Sequence, residues 1–95
     1  MSEKKLHPLL NSFKERMRIF HDGEDENLSR MLEGSQFVIF RETNSQNYNQ
    51  PIVRELILER ARYIYNDQVD TFYKDFKNDL HTLAFQNAEV DTIDG

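Results

Sequence analysis

Apolar residues recur at steps of three and four along the second half of the chain: Leu58, Ala61, Tyr65, Val69, Phe72, Phe76, Leu80 and Leu83. This spacing traces one face of an α-helix, because strand side chains alternate with period two. After Pro51, neither Gly nor Pro interrupts the pattern as far as Leu83. The first part, Ile52-Val53-x-x-Leu56-Ile57-Leu58, is apolar on nearly every side and should be surrounded by other elements. The pattern therefore predicts a long central helix against whose N-terminal end the others lie. Asn66-Asp67 is its one local weakness. The periodicity favours continuity there, and a break would divide the pillar into helices over about 51–66 and 67–87.

Upstream, Leu6, Leu9, Leu10, Phe13, Met17 and Phe20 give an amphipathic first helix over about 8–20, with Pro8 suited to its first position. His21-Asp22-Gly23 ends that pattern. Glu24, Asp25 and Glu26 then suit the first turn of a second helix, about 24–41, where the dipole favours anions. Leu28, Met31, Leu32, Ser35, Val38 and Ile39 form its core face, and Phe37 and Phe40 fall off that face. Residues 43–50 are polar except for Tyr48 and predict a loop. Met1 to His7 reads as a frayed polar start, and 88–95, with its acidic residues and no base, as a flexible tail. The fold class expected is all-α: one domain over 1–95, a small bundle of three to four helices with a long central C-terminal helix.

Composition narrows the function. A chain of 95 residues buries roughly 60–65% of its unfolded surface. Its hydrophobic share of 38% is low and its charged share of 31% high, so the core has little to spare. Seven Phe and four Tyr are nevertheless too many for a disordered chain. Without cysteine there is neither a disulfide framework nor a thiolate metal site. No apolar run approaches a membrane span and no signal-peptide pattern opens the chain, which reads as an intracellular protein without a membrane role. A net charge of −5 disfavours duplex-DNA binding through a basic face.

Candidate chemistry is sparse. From Asp22, acidic residues fall at positions 1, 3 and 5 of a calcium-loop pattern, with Glu33 at position 12. Asn27, however, stands where that loop needs Gly, and an acidic helix start accounts for the same residues. His7, His21 and His81 show no metal-ligand spacing and read as surface residues. No nucleophile–base motif or phosphate-cradling loop is present. The reading is of a protein that is not an enzyme and has no cofactor. The remaining signal is unplaced apolar surface. Phe37, Phe40, Tyr63 and Phe85 lie away from the predicted stripes, and Tyr48 stands alone in a polar loop. Arg54 sits near the apolar stripe, where it must snorkel or meet a carboxylate. These six residues are the candidate subunit or partner interface.

The segment Phe13-Lys14-x-x-Met17-Arg18-Ile19, the acidic turn His21 to Glu26, and Leu28 with Leu32 resemble the N-terminal half of phage head–tail connector proteins. These are the small head-completion adaptors of long-tailed double-stranded DNA phages and prophages. The run Arg54-Glu55-Leu56-Ile57-Leu58-Glu59-Arg60-Ala61-Arg62-Tyr63-Ile64-Tyr65-Asn66-Asp67 is similar to the family's long third helix. The likeness spans roughly residues 9 to 85, and Gly34-Ser35 departs from the Ala-rich middle of the family's second helix. It implies a structural virion protein at the head–tail junction, assembled in the bacterial cytoplasm. Such a homo-oligomer docks as a ring of about twelve copies under the portal protein. It extends the DNA channel without specific DNA binding and offers a platform for tail or stopper proteins. The other expectation is a small acidic soluble regulator that imitates DNA towards a host protein, using Glu24, Asp25, Glu26, Asp67, Asp70, Asp75 and Asp79 as phosphate mimics.

Overall fold

The computed structural model describes residues 6–88. The protein is an all-α bundle of four helices: α1 (Leu10–Met17), α2 (Asp25–Thr43), α3 (Pro51–Tyr65) and α4 (Val69–Ala88). Among the described residues there is no strand. Helices α2 and α3 share the centre, each touching all three others, while α1 lies across both. The irregular segment 44–50 returns the chain from α2 into α3, where Pro51 occupies the first turn at no cost in hydrogen bonds. Helix α4 then runs back along α2, so their C-terminal ends meet. There the Asn44 side-chain amide donates to the Ala84 carbonyl (3.0 Å) and that of Asn87 to the Thr43 carbonyl (2.6 Å).

The period-3.6 stripes build one core. Leu9, Leu10 and Phe13 meet Leu28, Leu32 and Ile39 of α2 and Val53, Leu56, Ile57, Leu58 and Ala61 of α3, with Phe72, Leu80 and Leu83 from α4. Two expected members of the first stripe lie outside. Leu6 is exposed, and Phe20 stands 83% exposed because α1 stops at Met17. Pro8 lies in the turn before α1 rather than in its first position.

The expected continuous pillar is broken between Tyr65 and Val69. Asp67 takes the left-handed conformation (φ 61°), its N–H donates to the Ile64 carbonyl, and the Gln68 N–H reaches back to the Tyr63 carbonyl at 2.7 Å. Helices α1 and α2 end in the same way. Arg18 (φ 59°) and Asn44 (φ 55°) are left-handed, and Ile19 and Ser45 donate to the carbonyls of Lys14 and Phe40. This is the Schellman arrangement, which satisfies carbonyls a helix end would otherwise orphan.

Charged side chains brace the short α1. Lys14 bonds Asp22 (2.9 Å) and Asp25 (2.7 Å) at the start of α2. Arg16 reaches α3 at Glu55 (2.9 Å) and Glu59 (2.7 Å), and Glu59 is shared with Arg62 (2.8 Å), about one turn on in the same helix. The molecule measures 51 × 33 × 17 Å. The shortest of these extents, 17 Å, is a third of the longest, 51 Å, so the bundle is flat. Most of its elements therefore keep one side open to the surroundings.

Candidate interaction surface

The C-terminal half of α2 presents successive residues to different surroundings. Ser35 and Ile39 face the core, Gln36 and Phe40 lie half-buried at its edge, and Phe37 is 64% exposed. Arg41, one turn on, places its guanidinium 5.4 Å from the Phe37 ring centre, an exposed cation–π contact. Tyr48 folds back from the loop onto this edge, its ring 5.6 Å from that of Phe40. Burial raises the Tyr48 phenol above its ordinary pKa. Its hydroxyl donates to the Gln36 side-chain carbonyl, which also accepts from His7 Nε2 at 2.6 Å.

His7 is therefore no surface residue, contrary to expectation. It is only 6% exposed; its backbone N–H donates to Ser29 Oγ (3.0 Å) and its Nδ1 accepts from the Leu9 N–H (3.0 Å). An acceptor at Nδ1 and a donor at Nε2 define a neutral ring with its proton on Nε2. Pro8 turns the chain so that this imidazole stands in for the missing cap of α1, which places residue 7 inside the fold rather than in a frayed start. The first five residues of that start, and residues 89–95 of the predicted flexible tail, lie outside the described residues. Ala88 closes α4.

The structure divides the six candidate residues. Phe37, Phe40, Tyr48 and Arg54 gather at one end of the slab. Arg54, half-buried, meets no carboxylate there; its Nη1 donates to the Tyr48 backbone carbonyl (3.1 Å) and fastens the loop to α3. Tyr63, expected off the stripe and uncovered, is covered. Its ring meets Phe72 and Phe76 edge-on, at 5.6 and 6.0 Å, because the break at Asp67 folds α4 against it. Its hydroxyl donates to Asp75 (2.9 Å), and this bond, with burial second, raises the phenol pKa. Phe85, 77% exposed on α4, is separate and open. Phe40, Tyr48, Arg54 and Tyr63 are thus largely engaged within the fold, whereas Phe37 and Phe85 are free to meet a partner.

Phe37 and Phe40 line one wall of an open depression of about 380 Å³, completed by Glu33, Gln36, Arg41 and Ser45. It continues past Phe40 and Arg41 towards Asn44, Asn47 and Asn87, a rim of amides. An apolar floor with a few polar groups at its edge suits an inserted side chain. Sequence reasoning missed Arg41 and Gln36 here, which carry no motif. It also missed Phe20 by assigning it to the face of α1, although the adjacent His21-Asp22-Gly23 break marks where that helix fails. No group of three potential metal ligands occurs among the described residues, and no helix among them is long and apolar enough to cross a membrane. No family model matches the chain, and no curated protein or solved structure is significantly similar to it.

Proposed function

We propose that this protein is a structural component of a phage or prophage particle, a head–tail connector. Copies of it would form a ring under the portal, extend the DNA channel and receive the tail or stopper. The observation that carries the reading is the shape of the molecule together with its uncovered aromatics. A slab 17 Å thick leaves Phe20, Phe37 and Phe85 in water, and repeated copies in a ring would cover such rings. The likeness of residues 9 to 85 to the connector pattern gives the assembly its name. The net charge of −5 is compatible with a conduit along which DNA slides without sticking.

The DNA-mimic reading gains nothing from the same surface. Of the carboxylates named for it, Asp25 is bonded by Lys14, and Glu24 and Asp75 accept from the hydroxyls of Tyr65 and Tyr63. These carboxylates brace helices instead of forming an open row of phosphate-like charge.

Mass spectrometry of purified, DNA-filled particles from the source phage or induced prophage tests the proposal. The chain is expected at a stoichiometry near that of the portal protein. Its absence from tailed particles, with abundance in the soluble lysate, would overturn the connector reading.

A further inference from the structure

The turn between α1 and α2 holds an Asp-Gly bond, Asp22-Gly23, that the proposed function does not use. In any such pair the Asp carboxyl carbon is one five-membered ring closure away from the next backbone nitrogen, and glycine puts no Cβ in the way. What distinguishes this pair is the group on the nitrogen. The Gly23 N–H donates to His21 Nδ1 at 3.1 Å, so an imidazole lone pair already rests on the proton that ring closure must remove. The other ring nitrogen, Nε2, faces Glu24 Oε2 at 3.8 Å, and the Tyr65 hydroxyl donates to that same oxygen (3.1 Å). A carboxylate on that side keeps the ring proton on Nε2 and leaves Nδ1 free to accept. On the side chain that would be attacked, the Lys14 ammonium stands 2.9 Å from Oδ1, where attack on the carboxyl builds negative charge. The Asp22 side chain is otherwise 89% exposed, open to water. A base, an electrophile and a cation thus converge on one peptide bond.

We propose that Asp22-Gly23 is a self-modifying site: His21 takes the Gly23 amide proton, the pair cyclises to a succinimide, and water reopens it as isoaspartate. In the first step the Gly23 nitrogen bonds to Asp22 Cγ and one Cγ–O bond breaks. The oxygen leaves as water, carrying the proton from His21 and a second from solvent. In the second step water adds to a ring carbonyl; opening at the Asp22 backbone carbonyl leaves the chain running through Cβ. The product differs from the parent in connectivity and not in mass. It also undoes two contacts of the turn. The Asp22 carbonyl no longer stands where the Asp25 N–H donates to it (3.3 Å), and the carboxylate is displaced from Lys14. Lys14 keeps Asp25, so the α1–α2 junction loosens without coming apart. The inference is independent of the connector reading.

The test compares the full-length parent with His21→Ala, each folded and each unfolded in urea, during incubation at neutral pH and physiological temperature. Electron-transfer fragmentation of the digests distinguishes isoaspartate from aspartate and separates position 22 from the other Asp-Gly pair, Asp94-Gly95. His21 is exposed, and circular dichroism should show the variant folded as the parent is. Isoaspartate at 22 should accumulate at least about tenfold faster in the folded parent than in folded His21→Ala, short of the ~10²–10⁴ that positioned acid–base groups supply in enzymes. In urea the two chains should react alike, because the His21 contact belongs to the folded turn. A folded parent without isoaspartate at 22, an equal or faster rate in folded His21→Ala, or the same His21 effect in urea would each overturn the assignment. Asp22→Asn gives a second readout, since ring closure there expels ammonia and changes the mass. Adding His21→Ala to it should slow that loss in the folded chain, and equal rates with and without His21 would sink the proposal.

Discussion

At the scale of single residues, the unusual choice is His7, an imidazole buried where a small bundle has little core to spare. It works because every polar atom finds a partner: Nδ1 takes the Leu9 N–H, and Nε2 meets the Gln36 carbonyl that Tyr48 also uses. No buried side-chain nitrogen or oxygen is left without a partner among the described residues, which matters because each orphan costs about 1–3 kcal/mol. His7→Ala would strand the Leu9 N–H at the start of α1 and release Gln36 and Tyr48 together. Denaturant titration should show a loss of about 1–3 kcal/mol. Nitrogen NMR of the ring should find the proton on Nε2, and a proton on Nδ1 in the neutral ring would contradict the network. A sequence read by periodicity cannot see this site. The histidine precedes a proline in a polar start, and apart from Leu9 its partners Ser29, Gln36 and Tyr48 lie 22 to 41 positions away.

At the scale of elements, the stripes and the approximate helix bounds were legible, and the choice between a continuous and a broken pillar was not. The spacing that predicted one face from Leu58 to Leu83 marks residues that are indeed buried or half-buried, since α3 and α4 both turn that face towards α2. A chain can therefore break at Asn66–Gln68 and keep its period. The weak point at Asn66-Asp67 was visible but continuity was favoured, because the usual signal, a glycine in the left-handed position, is missing; Arg18, Asn44 and Asp67 fill those positions instead. Asn and Asp tolerate this conformation better than other side chains, whereas β-branched residues resist it. Asp67→Gly is expected to leave the protein as stable or stabilise it by up to about 1 kcal/mol. Asp67→Val should cost roughly 1–2 kcal/mol. Thermal unfolding of the two variants beside the parent decides it, and a Val variant as stable as the Gly variant would mean that the α3–α4 turn is not held at Asp67. The candidate surface was partly legible for a related reason. Off-stripe aromatics can be counted in a sequence, but whether a neighbouring helix covers them depends on where the chain turns, and the turn at Asp67 is what covers Tyr63.

At the scale of the molecule, a thin slab with a small core relies on charge to hold its shortest helix, and this makes its stability depend on acid. Glu59 lies between Arg16 of α1 and Arg62 of its own helix. Burial pushes its pKa up, but the hydrogen bonds from Arg62 and Arg16 outweigh it and hold the carboxyl below its ordinary 4.5. The Lys14 hydrogen bond lowers Asp22 from 3.8 in the same sense. A carboxyl depressed in the folded state stabilises the fold above its unfolded pKa, and that contribution is lost as pH falls through the folded value. Stability should thus be level from neutrality to about pH 5 and decline below about pH 4.5 as the carboxylates of α1's braces are protonated. On the alkaline side, the raised Lys14 keeps its contribution up to its unfolded pKa of 10.5. For Glu59→Gln, screening by solvent limits the loss at neutral pH to about 1 kcal/mol or less, and the variant should show a shallower decline in acid than the parent. Denaturation midpoints at pH 7 and pH 4 for parent and variant measure both effects. If the two lost the same stability on acidification, Glu59 would not be the group that couples α1 to the rest of the slab.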